Sequence, residues 1–369
     1  MKTRDAVIEY QKTLDNAGTL IKDLNLVDPV SALYLEFEAT NGTTSNKGNY
    51  ISDVITKIEI VDGSELLWGL NLSQLEALSF YKTGKMPVMF PSEWASGIQR
   101  HGVYLLFGRY LWDQEFAFDC TRYKNPQLKI TSNLAAIRAV DAATAFATGT
   151  LKATAVAKVM EGAAKPAKYL MAKEVDSFTS AASGEKRIEL PTDYPYRLLM
   201  LRAWKQLSDV DEIISDFKMT FDTDKFVMFT RKVKQLDAEA FAEFGVGRLK
   251  HDILASDNDT VRLLFNKEPD CRIYSTTSDL FDIVGINYQW SSELYLELGT
   301  HAGAADTTDR ALTMVEEGHA LHATLPIVFG IMDEPAKWFD PKPYGKAECV
   351  LTQATASAVV SVALEQARG

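Results

Sequence analysis

Two groups of residues in this chain have the types and spacing that catalysis or metal binding requires. The first is Glu316, Glu317, His319 and His322 in VEEGHALHATLP. On a helix, histidines three apart share a face and, with a carboxylate beside them, can hold zinc. The surroundings point elsewhere: H-E-x-x-H is absent, and so is the H-x-H pair with a following Glu that metal sites inside β-barrels use. His322 moreover opens a stretch that reads as a strand, so these side chains read as structural or solvated. The second group is Asp119 and Asp340, each inside F-D-x-x-x-Y. Glycoside hydrolysis needs two carboxylates facing each other across a cleft. An aspartate that recurs at one place in two copies of a motif is better explained as shaping a turn through nearby backbone N–H groups. No G-x-S-x-G, P-loop or G-x-G-x-x-G is present, and Gly-Val-Gly-Arg at 245–248 lacks the Lys-Ser/Thr that would make it a phosphate cradle. Trp68, Trp94, Trp112, Trp204, Trp290 and Trp338 are scattered as packing anchors, not aligned as a sugar platform. The sequence nominates no catalytic residue, no cofactor and no metal site, and the chain is read as a non-enzyme.

Asp119 lies in a stretch that recurs later in the chain. Residues 101–132 slide over 322–353 at an offset of 221, pairing His101 with His322, Phe118 with Phe339, Asp119 with Asp340, Tyr123 with Tyr344 and Thr131 with Thr352. Other segments repeat in the same order. PVSALYLEFE (29–38) matches PYRLLMLRAW (195–204) at offset 166, and VITKIEI matches IISDFKM at offset 159. Each is followed by a helix, NLSQLEALSFYKTG (71–84, with Ser73 placed as its N-cap) or KQLDAEAFAEFG (234–245). ASAVVSVALEQ closes the second copy where TAVAKVME closes the first. Collinear matches of this kind mean a tandem duplication. The offset grows from 160 to 221, so 61 residues are inserted in the region 250–320 of the second copy, as a surface excursion of the kind that commonly carries recognition.

Composition sets the outer limits. The 369 residues are too many for one ordinary core. With 39 basic and 50 acidic side chains the net charge is −11, and no Lys/Arg cluster offsets it, so direct nucleic-acid binding is disfavoured. Three dispersed cysteines, Cys120, Cys271 and Cys349, fit a reducing compartment. No signal-like apolar segment opens the chain and no run of 18 apolar residues occurs, which places synthesis and folding in a cytoplasm.

Residues 4–26 read as a helix, because Val7, Tyr10, Leu14, Ala17, Ile21 and Leu24 recur at spacings of three and four until Asp28-Pro29 ends the pattern. After Pro29 the period changes to two, with Asp62-Gly63 as a hairpin turn. GAAKPAK (162–168) reads as a linker. The resulting division is an N-terminal helical arm at 1–28, a first unit at 29–163 and a second at 164–369 that carries the insertion. Each unit offers about eight short strands without a strand-helix rhythm. This excludes a doubly wound parallel sheet and favours an all-β chain of two tandem eight-stranded antiparallel jelly rolls plus an N-terminal amphipathic helix. So many apolar strands would leave exposed patches on a lone copy, which points to a homo-oligomer.

The run DVITKIEIVDGSELLWGLNLSQLEALSFYKTGKMP, the close CVLTQATASAVVSVALEQ, the N-terminal arm and the duplicated body together resemble the double jelly-roll major capsid proteins of tailless, membrane-containing bacterial viruses. The resemblance covers nearly the whole chain and is one of layout. It implies a structural virion protein whose partner is first itself, as a pseudo-hexagonal homotrimer tiling an icosahedral shell. A penton and an internal viral membrane are further partners it implies, with Val7, Tyr10, Leu14, Ile21 and Leu24 of the arm on the inner side and the 250–320 insertion pointing outward. The alternative reading is a two-domain β-sandwich that binds or cleaves carbohydrate.

Overall fold

The computed structural model describes the backbone of residues 2–140, 145–275, 281–289, 293–300, 305 and 307–369, and their side chains except at 140, 268–269, 275, 281–289 and 300. The first half contains β1 (Lys2–Thr13), β2 (Ala17–Asp23), β3 (Val30–Thr40), α1 (Ile51–Val54), β4 (Ile55–Asp62), β5 (Glu65–Leu70), α2 (Leu72–Thr83), β6 (Val88–Phe90), β7 (Ile98–Leu106), β8 (Pro126–Asn133), α3 (Leu134–Val140) and β9 (Lys152–Glu161). The second half runs through β10 (Tyr169–Thr179), β11 (Glu185–Leu190), β12 (Tyr196–Trp204), α4 (Val210–Ile213), β13 (Ile214–Phe221), β14 (Phe226–Lys232) and α5 (Val233–Phe244). Six inserted strands follow: β15 (Gly247–Ala255), β16 (Asp259–Arg262), β17 (Phe265–Ser275), β18 (Phe281–Gln289), β19 (Glu293–Thr300) and β20 (Arg310–Leu321). β21 (Thr324–Val328), β22 (Ala347–Gln353) and β23 (Val359–Arg368) complete the second half.

Strand pairing makes each half a jelly roll. Sheet β1-β9-β3-β7-β6 faces β2-β8-β4-β5 in the first, and β10-β23-β12-β21 faces β11-β22-β13-β14 in the second. The edges of β5 and β10 meet through a parallel bridge between Gly69 and Lys173, joining two of these sheets into one of eight strands. Alternation drives the local choice. In β3, Leu33, Leu35, Phe37 and Ala39 are buried in the roll while Tyr34, Glu36 and Glu38 look outward, the period-two pattern of a half-solvated strand. Its counterpart β12 is buried on both faces: Leu199 and Leu201 belong to the core of the second roll, whereas Leu198 and Met200 pack against the first.

The duplication extends to irregularities in the ladders. Register shifts fall between Val7 and Glu9, Val30 and Ala32, Ile55 and Lys57, and Ile60 and Val61. In the second roll they fall between Glu174 and Asp176, Tyr196 and Leu198, Ile214 and Asp216, and Met219 and Thr220. A bulge re-aims its strand, so a shared set of four bends both rolls alike. The ladders also correct the gap-free slide of 221. Leu106 lies opposite Ala32, and Val328 opposite Leu198, which puts β7 and β21 at offset 222 and aligns His101 with Ala323 rather than His322. The offset returns to 221 by the turn, where Val30 bridges Phe118 as Tyr196 bridges Phe339.

The N-terminal helix is not formed. Residues 4–26 are strands β1 and β2, pairing with β9 and β8 respectively. Their places match β10 and β11, which pair with β23 and β22, so the segment is an integral part of the first roll instead of an arm. The reason is tertiary: without it the hydrogen-bonding edges of β8 and β9 would be open. Valine, isoleucine and threonine along the segment suit a pleated surface. The apparent three-and-four spacing combines residues with different fates, as described below.

The insertion has its own small core, including Ile253, Val261, Leu294, Leu296 and Met314. It is anchored on the first roll as well as the second. Trp94 Nε1 donates to the Ile253 carbonyl at 3.1 Å, and Glu93 accepts the N–H groups of Leu254 and Gly48, each at 3.0 Å. Arg262 pairs with Asp53 at 2.7 Å.

Candidate functional site

The repeated F-D-x-x-x-Y motif proves to be architecture. Asp119 accepts the Thr121 N–H at 3.0 Å, and Asp340 accepts the Lys342 N–H at 3.1 Å, an Asx turn in each roll. Phe118 stacks on Tyr123 at 5.3 Å, as Phe339 does on Tyr344 at 6.0 Å. VEEGHALH lies on strand β20 and the turn after it, not on a helix, so its side chains part company. Glu316 accepts the Phe265 N–H at 2.6 Å and lies 2.7 Å from His251. Glu317 pairs with Arg248, His319 meets Asp237 at 3.0 Å, and His322 meets Glu76 at 2.6 Å. His319 and His322 thus go to different carboxylates, and among the described residues no group of three or more His, Cys, Asp and Glu side chains is placed to hold a metal ion.

The residues taken from the supposed arm divide into two sets. Val7, Tyr10 and Ile21 are 64%, 72% and 50% exposed, whereas Leu14 and Leu24 belong to the core of the first roll. The latter two are therefore unavailable as contact residues. Cys120, Cys271 and Cys349 are all buried, and burial pushes the thiols of Cys120 and Cys349 up to about 12. Trp68 and Trp338 are buried, Trp94 reaches the insertion, and Trp290 lies outside the described residues.

The unusual concentration of polar chemistry is at α2, wedged between the rolls. Its N-cap is Asn71 rather than Ser73: the Asn71 side chain accepts the Gln74 N–H at 2.8 Å, and the Gln74 side chain returns to the Asn71 N–H at 3.1 Å, a capping box. Gly84 closes the other end in the left-handed region. Residues Leu72 to Tyr81 are all buried, which a solvent-facing amphipathic helix would not allow. Four side chains on this helix reach the second roll. Gln74 donates to Ser361 at 2.9 Å, and Tyr81 donates to the Thr324 carbonyl at 2.6 Å. Glu76 receives His322 from one side and His101 of the first roll, at 2.7 Å, from the other. Burial pushes the Glu76 carboxyl up, but the two imidazoles override it and hold it at about 2.

Lys82 completes the seam. Its Nζ lies 2.6 Å from Glu365, which also receives Arg197 at 2.5 Å; all three side chains are 1% exposed or less. Two cations thus share one carboxylate out of contact with water. Burial, assisted by Arg197, lowers the Lys82 ammonium to about 8 although Glu365 opposes the shift. Burial pushes Glu365 up, but the two cations override it and hold it below its ordinary value. Such a cluster fixes one relative placement of two bodies, because any slip leaves a charge buried and alone. Nothing in the sequence pattern singled out Glu76, Lys82, Arg197 or Glu365. The one available signal was polar residues inside an otherwise apolar helix that follows the same hairpin in both copies.

What this arrangement does chemically is hold two β-sandwiches rigidly side by side, and the class of protein it defines is the double jelly roll. No family model and no curated protein matches the sequence. Among solved structures the chain is similar to the major capsid protein of STIV, the Sulfolobus turreted icosahedral virus, with TM-score 0.60, 10% identity and coverage of 99% of this chain and 96% of that one. It is similar also to the major capsid protein of bacteriophage PM2, with TM-score 0.53, 10% identity and coverage of 100% and 98%. The PBCV-1 virus capsid aligns with TM-score 0.55 at 9% identity over 99% and 93%. The chain shares the double jelly-roll fold of these viral capsid proteins. A tandem pair of carbohydrate-binding modules from Streptococcus pneumoniae aligns with a TM-score of 0.17, which lends the carbohydrate reading no support.

Proposed function

We propose that this chain is a viral major capsid protein whose work is mechanical: it associates with copies of itself, as a homotrimer of six jelly rolls in pseudo-hexagonal outline, and the trimers tile an icosahedral shell. The observation that carries this reading is the polar seam. Two rolls locked by buried charges form one rigid brick, which a lattice needs and a binding module with independent domains does not. The full-length likeness to capsid proteins supports it. The division of the brick at the 162–168 linker, the outward placement of the insertion, and a penton and an underlying bilayer as further partners belong to the same proposal. Val7, Tyr10 and Ile21 are the exposed apolar residues of β1 and β2 offered to neighbours. The site of action is the virion, after synthesis in a host cytoplasm. A structural role with no turnover follows from the same reading.

Light scattering on purified protein should give a mass three times 41.0 kDa, and negative-stain microscopy should show hexagonal particles. A monomer at all concentrations up to those of assembly would overturn the reading.

A further inference from the structure

The seam within one chain has a counterpart that stands open. Helices α2 and α5 follow the same hairpin in the two rolls and align without a gap at offset 161. Gln74, Leu75, Ala77, Phe80 and Gly84 fall on Gln235, Leu236, Ala238, Phe241 and Gly245, and Glu76 falls on Asp237. In α2, Gln74, Ala77 and Phe80 are buried: Gln74 meets Glu174 and Ser361 of the second roll's sheet, while Ala77 and Phe80 cluster with Leu249, Phe265 and Leu321 of the insertion. In α5 the identical Gln235 and Ala238 are exposed, and Phe241 is 44% exposed. The Gln74 side of the helix that the sheet covers in one roll is open at Gln235 in the next.

The surface able to cover it is also present. Within the chain, α2 is received by the outer face of sheet β10-β23-β12-β21, where Glu174, Ser361 and Glu365 lie. The equivalent face of the first roll is the outer side of β1-β9-β3-β7, where Val7 is exposed and Tyr34, Tyr104, Val156 and Lys158 are half-buried. Val7 takes the place of Glu174, pairing with Val156 as Glu174 pairs with Ala363. This face carries Tyr34 and Tyr104, whose rings lie 5.1 Å apart. Beside them is a cavity of about 440 Å³ lined also by Val88 and Leu106.

The charges agree, with sign reversed. Inside the chain, Lys82 of the helix meets Glu365 of the sheet. On α5 the place of Lys82 is taken by Glu243, which is exposed. On the first roll's sheet the place of Glu365 is taken by Lys158, which lies opposite Ala32 as Glu365 lies opposite Leu198. Lys158 meets only the exposed Asp5, at 2.8 Å, among the ion pairs of the described residues. An acid at this place on the helix and a base at this place on the sheet have the opposite signs that complementarity between copies requires.

We propose that copies of this chain join head to tail, with α5 of one seated on the outer β1-β9-β3-β7 face of the next and Glu243 meeting Lys158, so that the junction between copies repeats the junction within the chain. This rests on the self-associating reading above and names its surface. A heterologous contact of this kind closes a ring when its rotation divides the circle.

Sedimentation velocity on the full chain tests it. Glu243→Lys and Lys158→Glu should each weaken self-association at least about tenfold, and the double charge exchange should restore it. Lys158→Glu also disturbs the bridge to Asp5, so Gln235→Arg on the open side of the helix serves as a second probe. It should abolish association while leaving the circular dichroism and thermal midpoint unchanged. An oligomeric wild type indifferent to these changes, or a double variant no better than the singles, overturns the proposed surface and leaves the capsid reading standing. A monomeric wild type overturns both.

Discussion

Replacing Glu365 by glutamine would remove the one anion that two buried cations share. Lys82 and Arg197 would then face each other at side-chain exposures of 1% and 0%, with only the more distant, exposed Asp333, 3.7 Å from Arg197, left as an anion. Breaking a buried pair by deleting one partner costs about 3–5 kcal/mol. The variant has one escape, which is to fold with Lys82 neutral. Relative to an unfolded value of 10.5, that costs about 1.4 kcal/mol per pH unit, or about 5 kcal/mol at pH 7. The sign follows from linkage: a lysine whose folded value is depressed binds fewer protons folded than unfolded, so folding is favoured as pH rises. In the wild type this begins at about 8; without Glu365 it begins lower. The penalty of Glu365→Gln should therefore shrink from pH 6 to pH 8 by about 1.4 kcal/mol per unit, then level off as the wild type sheds the same proton. Urea unfolding followed by tryptophan fluorescence and far-UV circular dichroism measures it, provided the two probes coincide. Lys82→Met is the control, since it leaves the neutral pair Arg197–Glu365 and should cost no more than about 1 kcal/mol. A Glu365→Gln penalty below about 1 kcal/mol, or one independent of pH between 6 and 8, would refute the account of the seam.

Gly330 has φ +85°, and a Cβ there would lie 2.1 Å from the Lys337 carbonyl oxygen; its counterpart Gly108 would place one 2.7 Å from the Phe116 carbonyl. Gly330→Ala should cost about 3 kcal/mol or more and Gly108→Ala nearly as much, read as lowered urea midpoints; unchanged midpoints would contradict the backbone geometry. Deleting residues 2–24 removes β1, β2 and the core side chains Leu14 and Leu24. The truncated chain should lose cooperative folding of its first roll and aggregate through the bared edges of β8 and β9, and a deletion that keeps the wild-type thermal midpoint would show the segment to be an appendage after all.

Short-range interactions are legible in this sequence, and long-range ones are not. Hairpins and helix ends are written in short-range residues such as Asp62-Gly63 and Gly84, and the duplication multiplied those weak signals by repeating them in order. The misread segment, 4–26, shows the limit. Its stripe joins Leu14 and Leu24, which reach the core from beyond the strand ends, to Val7, Tyr10 and Ile21, which face out. Strand formation there is imposed by β9 and β8, more than 100 residues away, and no local period encodes that demand. The duplication itself held the correction: a copy of YLMAKEVDSFT, the strand that opens the second roll, has to open the first. The same comparison locates the seam. His101, Glu76 and His322 are far apart in the chain, and a gap-free alignment pairs the two histidines as equivalent residues. In the structure they are not equivalent; they approach one carboxylate from opposite rolls. The polar residues that most constrain this protein are those that a search for repeats treats as noise, because a junction between two copies is made by the positions at which the copies differ. Lys82 against Glu243, and Glu365 against Lys158, are such positions, and their reversed charges are what allow one junction to form inside the chain and its complement to form between chains.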